Sequence, residues 1–119
     1  RVSFAQGDLL EGLGMFDLIC ANPPYIASEE LDTLPVARHE PRLALDGGED
    51  GLHIIGQLLA NSGDHLNPSG ALLMEIGADQ ADASCVIARA AFPTGNVQVA
   101  KDMAGRDRLL SVRTNGPVN

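Results

Sequence analysis

The chain is 119 residues long, 45% apolar and 20% charged, which suits one hydrophobic core and excludes two, along with disordered and fibrous classes. Sixteen acidic residues against eight basic ones leave a formal net charge of -8, a balance that opposes binding to a phosphate backbone through Lys and Arg. Cys20 and Cys85 lie in apolar runs without metal-ligand spacing or a disulfide framework, so both are expected as reduced, buried thiols. No apolar run approaches the roughly 18 residues of a membrane span, and Arg1 to Gly7 lack the apolar stretch of a signal peptide. The expectation is a cytoplasmic protein away from membranes. The chain opens on a strand-like run without a methionine, which suggests a segment upstream of Arg1.

In chain order, Val2 to Ala5 reads as a short strand, and Phe16-Asp17-Leu18-Ile19-Cys20-Ala21 as a central parallel strand, apolar on both faces, closed by Asn22-Pro23-Pro24. From Ile26 to Gly51 the composition turns to Ser, Glu, Asp, Pro, Arg and Gly, an irregular stretch in which Ser28 can cap a short helical turn at Glu29-Glu30. Asp50 is the expected N-cap of a helix of about four turns carrying Leu52, Ile55, Leu59 and Leu66 at helical spacing and closed by Pro68-Ser69-Gly70. Ala71 to Gly77 reads as a second buried strand with a single carboxylate, Glu75, at its end. Asp79 then opens a helix with Ala81, Cys85, Ala88 and Phe92 on one face, stopped by Pro93. Asn96 to Ala100 and Leu109 to Thr114 form an antiparallel pair joined through a turn at Gly105. Strands alternating with helical crossovers define a layered α/β domain.

The most informative residues are Asn22, Pro23, Pro24 and Tyr25, at the carboxyl end of a strand, where open α/β sheets bind ligands. Two readings stand side by side. In one, the prolines end the strand and Tyr25 covers the core edge. In the other, the Asn22 amide, with one acceptor and two donors, is held by prolines that fix the backbone and remove competing N–H groups, giving a rigid cluster of acceptors beside an aromatic face.

Asn-Pro-Pro-Tyr after Phe-Asp-Leu-Ile-Cys-Ala resembles the catalytic motif of class I S-adenosylmethionine-dependent methyltransferases that modify a planar, conjugated nitrogen, such as a glutamine amide or an exocyclic base amine. The wider pattern is Asn22 to Ile26, Glu40-Pro41 with Ala44-Leu45, Gly47-Gly48-Glu49-Asp50-Gly51-Leu52, Glu75-Ile76-Gly77 and Ala104-Gly105-Arg106-Asp107-Arg108. It resembles the release-factor glutamine methyltransferases along essentially the whole chain. The resemblance implies a Rossmann-like class I methyltransferase sheet, mostly parallel with a carboxyl-terminal antiparallel pair. Residues 1–119 would be the carboxyl-terminal portion of one catalytic domain, with the cofactor's glycine loop and an amino-terminal helical domain upstream of Arg1. It implies S-adenosyl-L-methionine as cofactor and a peptide chain release factor as protein substrate. Asn22, Pro23 and Tyr25 would be catalytic, Asn22, Pro23, Pro24 and Tyr25 would bind the glutamine, and Leu9, Asn22 and Asp8 would contact the cofactor. Since the family's first strand falls upstream of Arg1, a free edge beside Leu18 to Ala21 is implied, with self-association of the 119 residues and weak cofactor binding.

For the remaining residues, bland and functional readings both stand. Asp8 follows a glycine in a turn, where local hydrogen bonding is common. Glu75 either orients a site group or ends a strand in solvent. Gly47 to Gly51 lacks the Lys and Ser/Thr of a phosphate loop and reads as a flexible turn. His39, His53 and His65 show no convergent ligand spacing, so no metal is expected. Arg106 and Arg108 either touch an acidic partner or sit on a solvated hairpin tip. Two other functions compete: methylation of a nucleic-acid base amine, disfavoured by one lysine and the acidic charge, and a non-catalytic interaction module.

Overall fold

The computed structural model describes residues 1–31, 33–34 and 40–116; His39 lies outside them. The elements are β1 (Phe16–Ala21), α1 (Ser28–Leu31), a 3-10 turn (Arg42–Ala44), α2 (His53–Ser62), a second 3-10 turn (Gly63–His65), β2 (Leu66–Glu75), α3 (Ala81–Ala91), β3 (Asn96–Lys101) and β4 (Asp107–Arg113). The four strands form one sheet in the order β1-β2-β4-β3. β1 and β2 run parallel, joined by the crossover through α1 and α2, as a parallel pair requires. β4 lies antiparallel to both β2 and β3.

Pattern explains the packing. Ile19, Leu72, Met74, Leu110 and Val112 point to one face of the sheet and are buried there against Ile55, Leu58 and Leu59 of α2, Ala88 of α3 and Phe92 behind it. Each such side chain contributes on the order of 1.5–3 kcal/mol when fully removed from water, so this single layer of helices holds the core. The opposite face is left open along β1, where Leu18 is 55% exposed and Cys20 stands in solvent.

Several expectations are corrected. Val2 to Ala5 forms no strand, and Phe4 is 96% exposed. A strand needs a neighbour to take its backbone hydrogen bonds, and among the described residues this run has none. The sheet itself differs in two further ways. With one parallel and two antiparallel pairings the sheet is mixed, not mostly parallel, and β1 lies at an edge, not at the centre. Edge position and the open face also explain why Cys20 is exposed; Cys85, on α3, is half-buried against the core. Asp50 accepts the N–H of Leu52 at 2.9 Å instead of capping α2, whose N-cap is Leu52 itself. α2 ends at Ser62, and β2 takes in Asn67-Pro68-Ser69-Gly70 as an irregularity: Phe16 pairs with Leu66, yet Leu18 pairs with Ala71.

Among the described strands β1 is paired only through β2, which leaves one row of its N–H and C=O groups as a template for another chain. The 119 residues are accordingly expected to associate in solution. Light scattering across a concentration series checks this, and a concentration-independent monomer would contradict it.

Candidate active site

Among the described residues, the loop after β1 is fastened at several points. Pro23 is buried while Asn22, at the strand's carboxyl end, is exposed. Ile26 makes a parallel bridge to Asp46, donating its N–H to Leu45 O at 3.1 Å and accepting from Gly47 N at 2.7 Å. Ser28 donates its hydroxyl to Asp46 Oδ1 at 2.6 Å, and Arg42 reaches both Asp46 Oδ2 and the Ser28 carbonyl. The Gly47 to Gly51 segment is therefore a packed turn, not a flexible one. A Cβ at Gly47 would stand 2.7 Å from Tyr25 Cα, and one at Gly51, whose φ is +78°, would collide with the Tyr25 carbonyl oxygen. Only glycine lets this backbone come so close.

Tyr25 is held at both ends. Its carbonyl accepts from Gln80 Nε2 at 2.8 Å, and the same nitrogen donates to Gly51 O at 3.2 Å while Gln80 Oε1 accepts from Gly77 N at 2.8 Å. One donor and two acceptors surround this amide, which is only 9% exposed, and they match the groups of glutamine. At the other end, Tyr25 Oη donates to Glu75 Oε1 at 2.9 Å and accepts from Arg108 Nη1 at 3.1 Å. Arg108 also donates to Ile76 O at 3.3 Å and faces Asp102 at 3.6 Å.

Asn22, Pro23, Pro24 and Tyr25 line a cavity of about 200 Å³ together with Ile26, Ala44, Leu45 and the carboxylate residues Glu40 and Glu75. Among the described residues neither the Asn22 side chain nor the Pro23 carbonyl has an intramolecular hydrogen-bond partner. Asp8 and Leu9 do not join them. They line a separate cavity with Gln57 and Asn61 of α2, where Leu9 adopts a φ of +53°, a left-handed conformation that leucine seldom takes. Of the two arginines flanking Asp107, Arg108 is turned into the site and Arg106 is exposed. Sequence reasoning missed Gln80. Its one available signal is a residue type that caps helices poorly standing at the N-cap of α3, with no capping bond from its side chain.

Burial first, then the hydrogen bond to Glu75 and its negative charge, raise the Tyr25 phenol above its ordinary 10.0, while Arg108 pulls the other way. Since the folded value exceeds the unfolded one, the stabilisation linked to this group is complete below pH 10 and is lost as pH rises through the folded value. Asp46 is shifted down from 3.8, chiefly by the Ser28 hydroxyl and then the Gly48 N–H. Its contribution is present above pH 3.8 and disappears as pH falls through the folded value.

No family model matches the chain. Among solved structures, a methyltransferase from Pyrococcus furiosus superposes with a TM-score of 0.62 at 22% identity, over 93% of this chain and 47% of that one. A release factor-specific protein-(glutamine-N5) methyltransferase from Alicyclobacillus acidocaldarius superposes with a TM-score of 0.51 at 14% identity, over 90% of this chain and 85% of that one. The fold is thus the α/β fold of methyltransferases. In sequence, the chain is 50% identical over 113 residues to the release factor glutamine methyltransferase of Moorella thermoacetica, covering 92% of this chain and 40% of that protein. It is 46% identical over 114 residues to the one of Caulobacter vibrioides. A ribosomal protein uL3 glutamine methyltransferase of Neisseria meningitidis is 49% identical over 79 residues, 65% of this chain and 26% of that protein. In sequence the chain is thus similar to release factor glutamine methyltransferases, matching the carboxyl-terminal part of these relatives and spanning about 40% of their length.

Two outcomes follow from the clamp around Tyr25. In the 119 residues Tyr25 is the only tyrosine, so phenolate absorbance on alkaline titration is expected to rise with a midpoint above pH 10.0. Gln80→Glu, which keeps the shape but turns a carboxylate toward two carbonyls, is expected to cost about 2 kcal/mol or more at neutral pH and less in acid, where the carboxyl regains a proton. Urea denaturation at the two pH values measures both, and unchanged stability at neutral pH would contradict the assignment.

Proposed function

We propose that these residues are the carboxyl-terminal portion of a methyltransferase catalytic domain that transfers a methyl group from S-adenosyl-L-methionine to the side-chain amide nitrogen of a glutamine in a peptide chain release factor. The observation that carries this reading is the pair of free acceptors, the Asn22 amide oxygen and the Pro23 carbonyl, at the mouth of a cavity at the end of β1. Two acceptors match the two N–H groups of a primary amide. A release factor acts where ribosomes are, so the reading carries a cytoplasmic protein with it; among the described residues no helix is long and apolar enough to cross a membrane.

An amide nitrogen is a poor nucleophile because its lone pair is delocalised into the carbonyl. The main demand on the site is therefore orientation. If Asn22 and Pro23 each accept one N–H, the amide plane is fixed and its π face is presented for attack. Each such bond contributes only about 0.5–1.5 kcal/mol net, whereas well-placed reactants can lower a barrier by roughly 7–11 kcal/mol. No base is needed beforehand, since the nitrogen becomes acidic only after methylation and its surplus proton can then leave to water.

S-adenosyl-L-methionine, when bound, supplies an electrophilic methyl group carried on a positive charge. The acceptors present fit such a cation on one side, with Asn22 and the nearby carboxylate Glu40 lining one cavity. Leu9 remains our assignment for the cofactor's adenine on the strength of the family pattern alone, and Asp8, beside it, for the cofactor pocket.

The 49% identity to a ribosomal protein uL3 glutamine methyltransferase favours a second acceptor of the same chemistry. A nucleic-acid base is the weaker alternative, because the net charge of -8 repels phosphate. With the protein expressed from its own gene and radiolabelled cofactor, label is expected in a release factor and not in duplex DNA or ribosomal RNA; transfer to uL3 alone would move the assignment to that protein. Asn22→Ala is expected to lower transfer by about 100-fold or more, and calorimetry to show a much smaller loss of cofactor affinity. Near-normal turnover in that variant would remove Asn22 from the chemistry.

A further inference from the structure

The cavity that holds Asn22 and Pro23 ends on a chain of contacts that begins far away in sequence. Asp102 ties the β3–β4 turn together by accepting the N–H groups of Ala104 and Arg106 on Oδ1, and its Oδ2 lies 3.6 Å from Arg108 Nε. Arg108 is fixed twice to Ile76, just past the end of β2, its backbone carbonyl accepting from Ile76 N at 2.9 Å and its Nη1 donating to Ile76 O. That leaves the guanidinium with one further donated bond, to Tyr25 Oη, and the phenol in turn donates to Glu75. Arginine, tyrosine and glutamate are 83 and 50 residues apart in these two bonds.

We propose that Glu75 and Arg108 are positioning residues, which act through the Tyr25 hydroxyl to hold the Asn22 amide and the Pro23 carbonyl where the substrate nitrogen is oriented. The inference rests on the reading of the site given above and deepens it. Tyr25 is separated from Pro23 only by Pro24, and two consecutive prolines fix two φ angles near -65°. Motion of the Tyr25 ring is therefore passed to the Pro23 carbonyl through a backbone with fewer free torsions than an ordinary segment has. The Tyr25 carbonyl is pinned by Gln80, so the backbone already has one anchor. One anchor lets the segment pivot; the phenol supplies the second. The bridge also has an internal direction. A phenol has one proton, and the arginine, which can only donate, obliges the hydroxyl to accept from it and to spend that proton on Glu75.

This direction separates a positioning role from generic packing. Tyr25→Phe keeps the ring and removes the bridge. Glu75→Gln keeps the shape and weakens the acceptor. In methyl transfer to a release factor by the protein expressed from its own gene, each is expected to lower kcat roughly tenfold, with KM for the cofactor and the thermal midpoint little changed. The double variant is expected to lose about as much as Tyr25→Phe, which already removes the bond that Glu75→Gln weakens; the roughly hundredfold product would mean independent roles. Arg108→Ala should lose as much as Tyr25→Phe, and Arg108→Lys should recover only part, because an ammonium cannot hold the phenol and the Ile76 carbonyl in the fixed fork of a guanidinium.

Wild-type kcat in Tyr25→Phe or Glu75→Gln would overturn the proposal, as would multiplicative losses in the double variant. A fall in thermal midpoint with a parallel rise in cofactor KM would overturn it too, assigning these residues to stability. Failure of the unsubstituted protein to label any glutamine is a different result, one that sinks the methyltransferase reading and the bridge's role with it.

Discussion

Tyr25 is tied down at its carbonyl and at its hydroxyl, 50 and more residues of chain being brought in to do so, and the rest of the site depends on that double attachment. A tyrosine following two prolines has fewer free torsions in its upstream backbone, so whatever fixes the ring also restricts the acceptors before it. Three separate pieces of chain supply the fixing: the end of β2 through Glu75, the start of β4 through Arg108, and the entry to α3 through Gln80. Each bond is weak by itself, about 1 kcal/mol net, and their joint effect is geometric rather than energetic.

The same logic explains the turn from Gly47 to Gly51. It has the look of an anion-binding loop and carries two carboxylates, Glu49 and Asp50, which no phosphate would tolerate. Its glycines serve approach instead. Backbone meets backbone beside Tyr25, with Gln80 closing the third side through Gly51 O. A side chain on either surface would push the Tyr25 segment away from the sheet and open the cavity that Asn22 faces.

The sheet shows how much of a strand's character belongs to its neighbours. β1 and β2 both read as apolar runs, yet β2, paired on both sides, buries Leu72 and Met74 completely, whereas β1 buries only Ile19. Val2 to Ala5 has the composition of a strand and takes none of its structure. Propensity for β structure is a preference for a pleated, partly covered surface, and without a ladder partner that preference has nothing to act on.

What could be read from the sequence was everything carried by local chemistry: the periodicity that places α2, α3 and the β3–β4 pair, the strand end at Asn22-Pro23-Pro24, and the Asn-Pro-Pro-Tyr motif whose family resemblance the relatives bear out. What only the tertiary structure decided was which distant residues meet. The sequence left Glu75 and Arg108 each with two readings and passed over Gln80, because a carboxylate, a guanidinium or an amide acquires a role from the partner opposite it, and that partner is set by the sheet order β1-β2-β4-β3. Strand order is a property of non-local pairing, and no local pattern encodes it; the same absence of local encoding left Val2 to Ala5 and the exposed Cys20 misread, since both depend on whether a neighbour stands beside them.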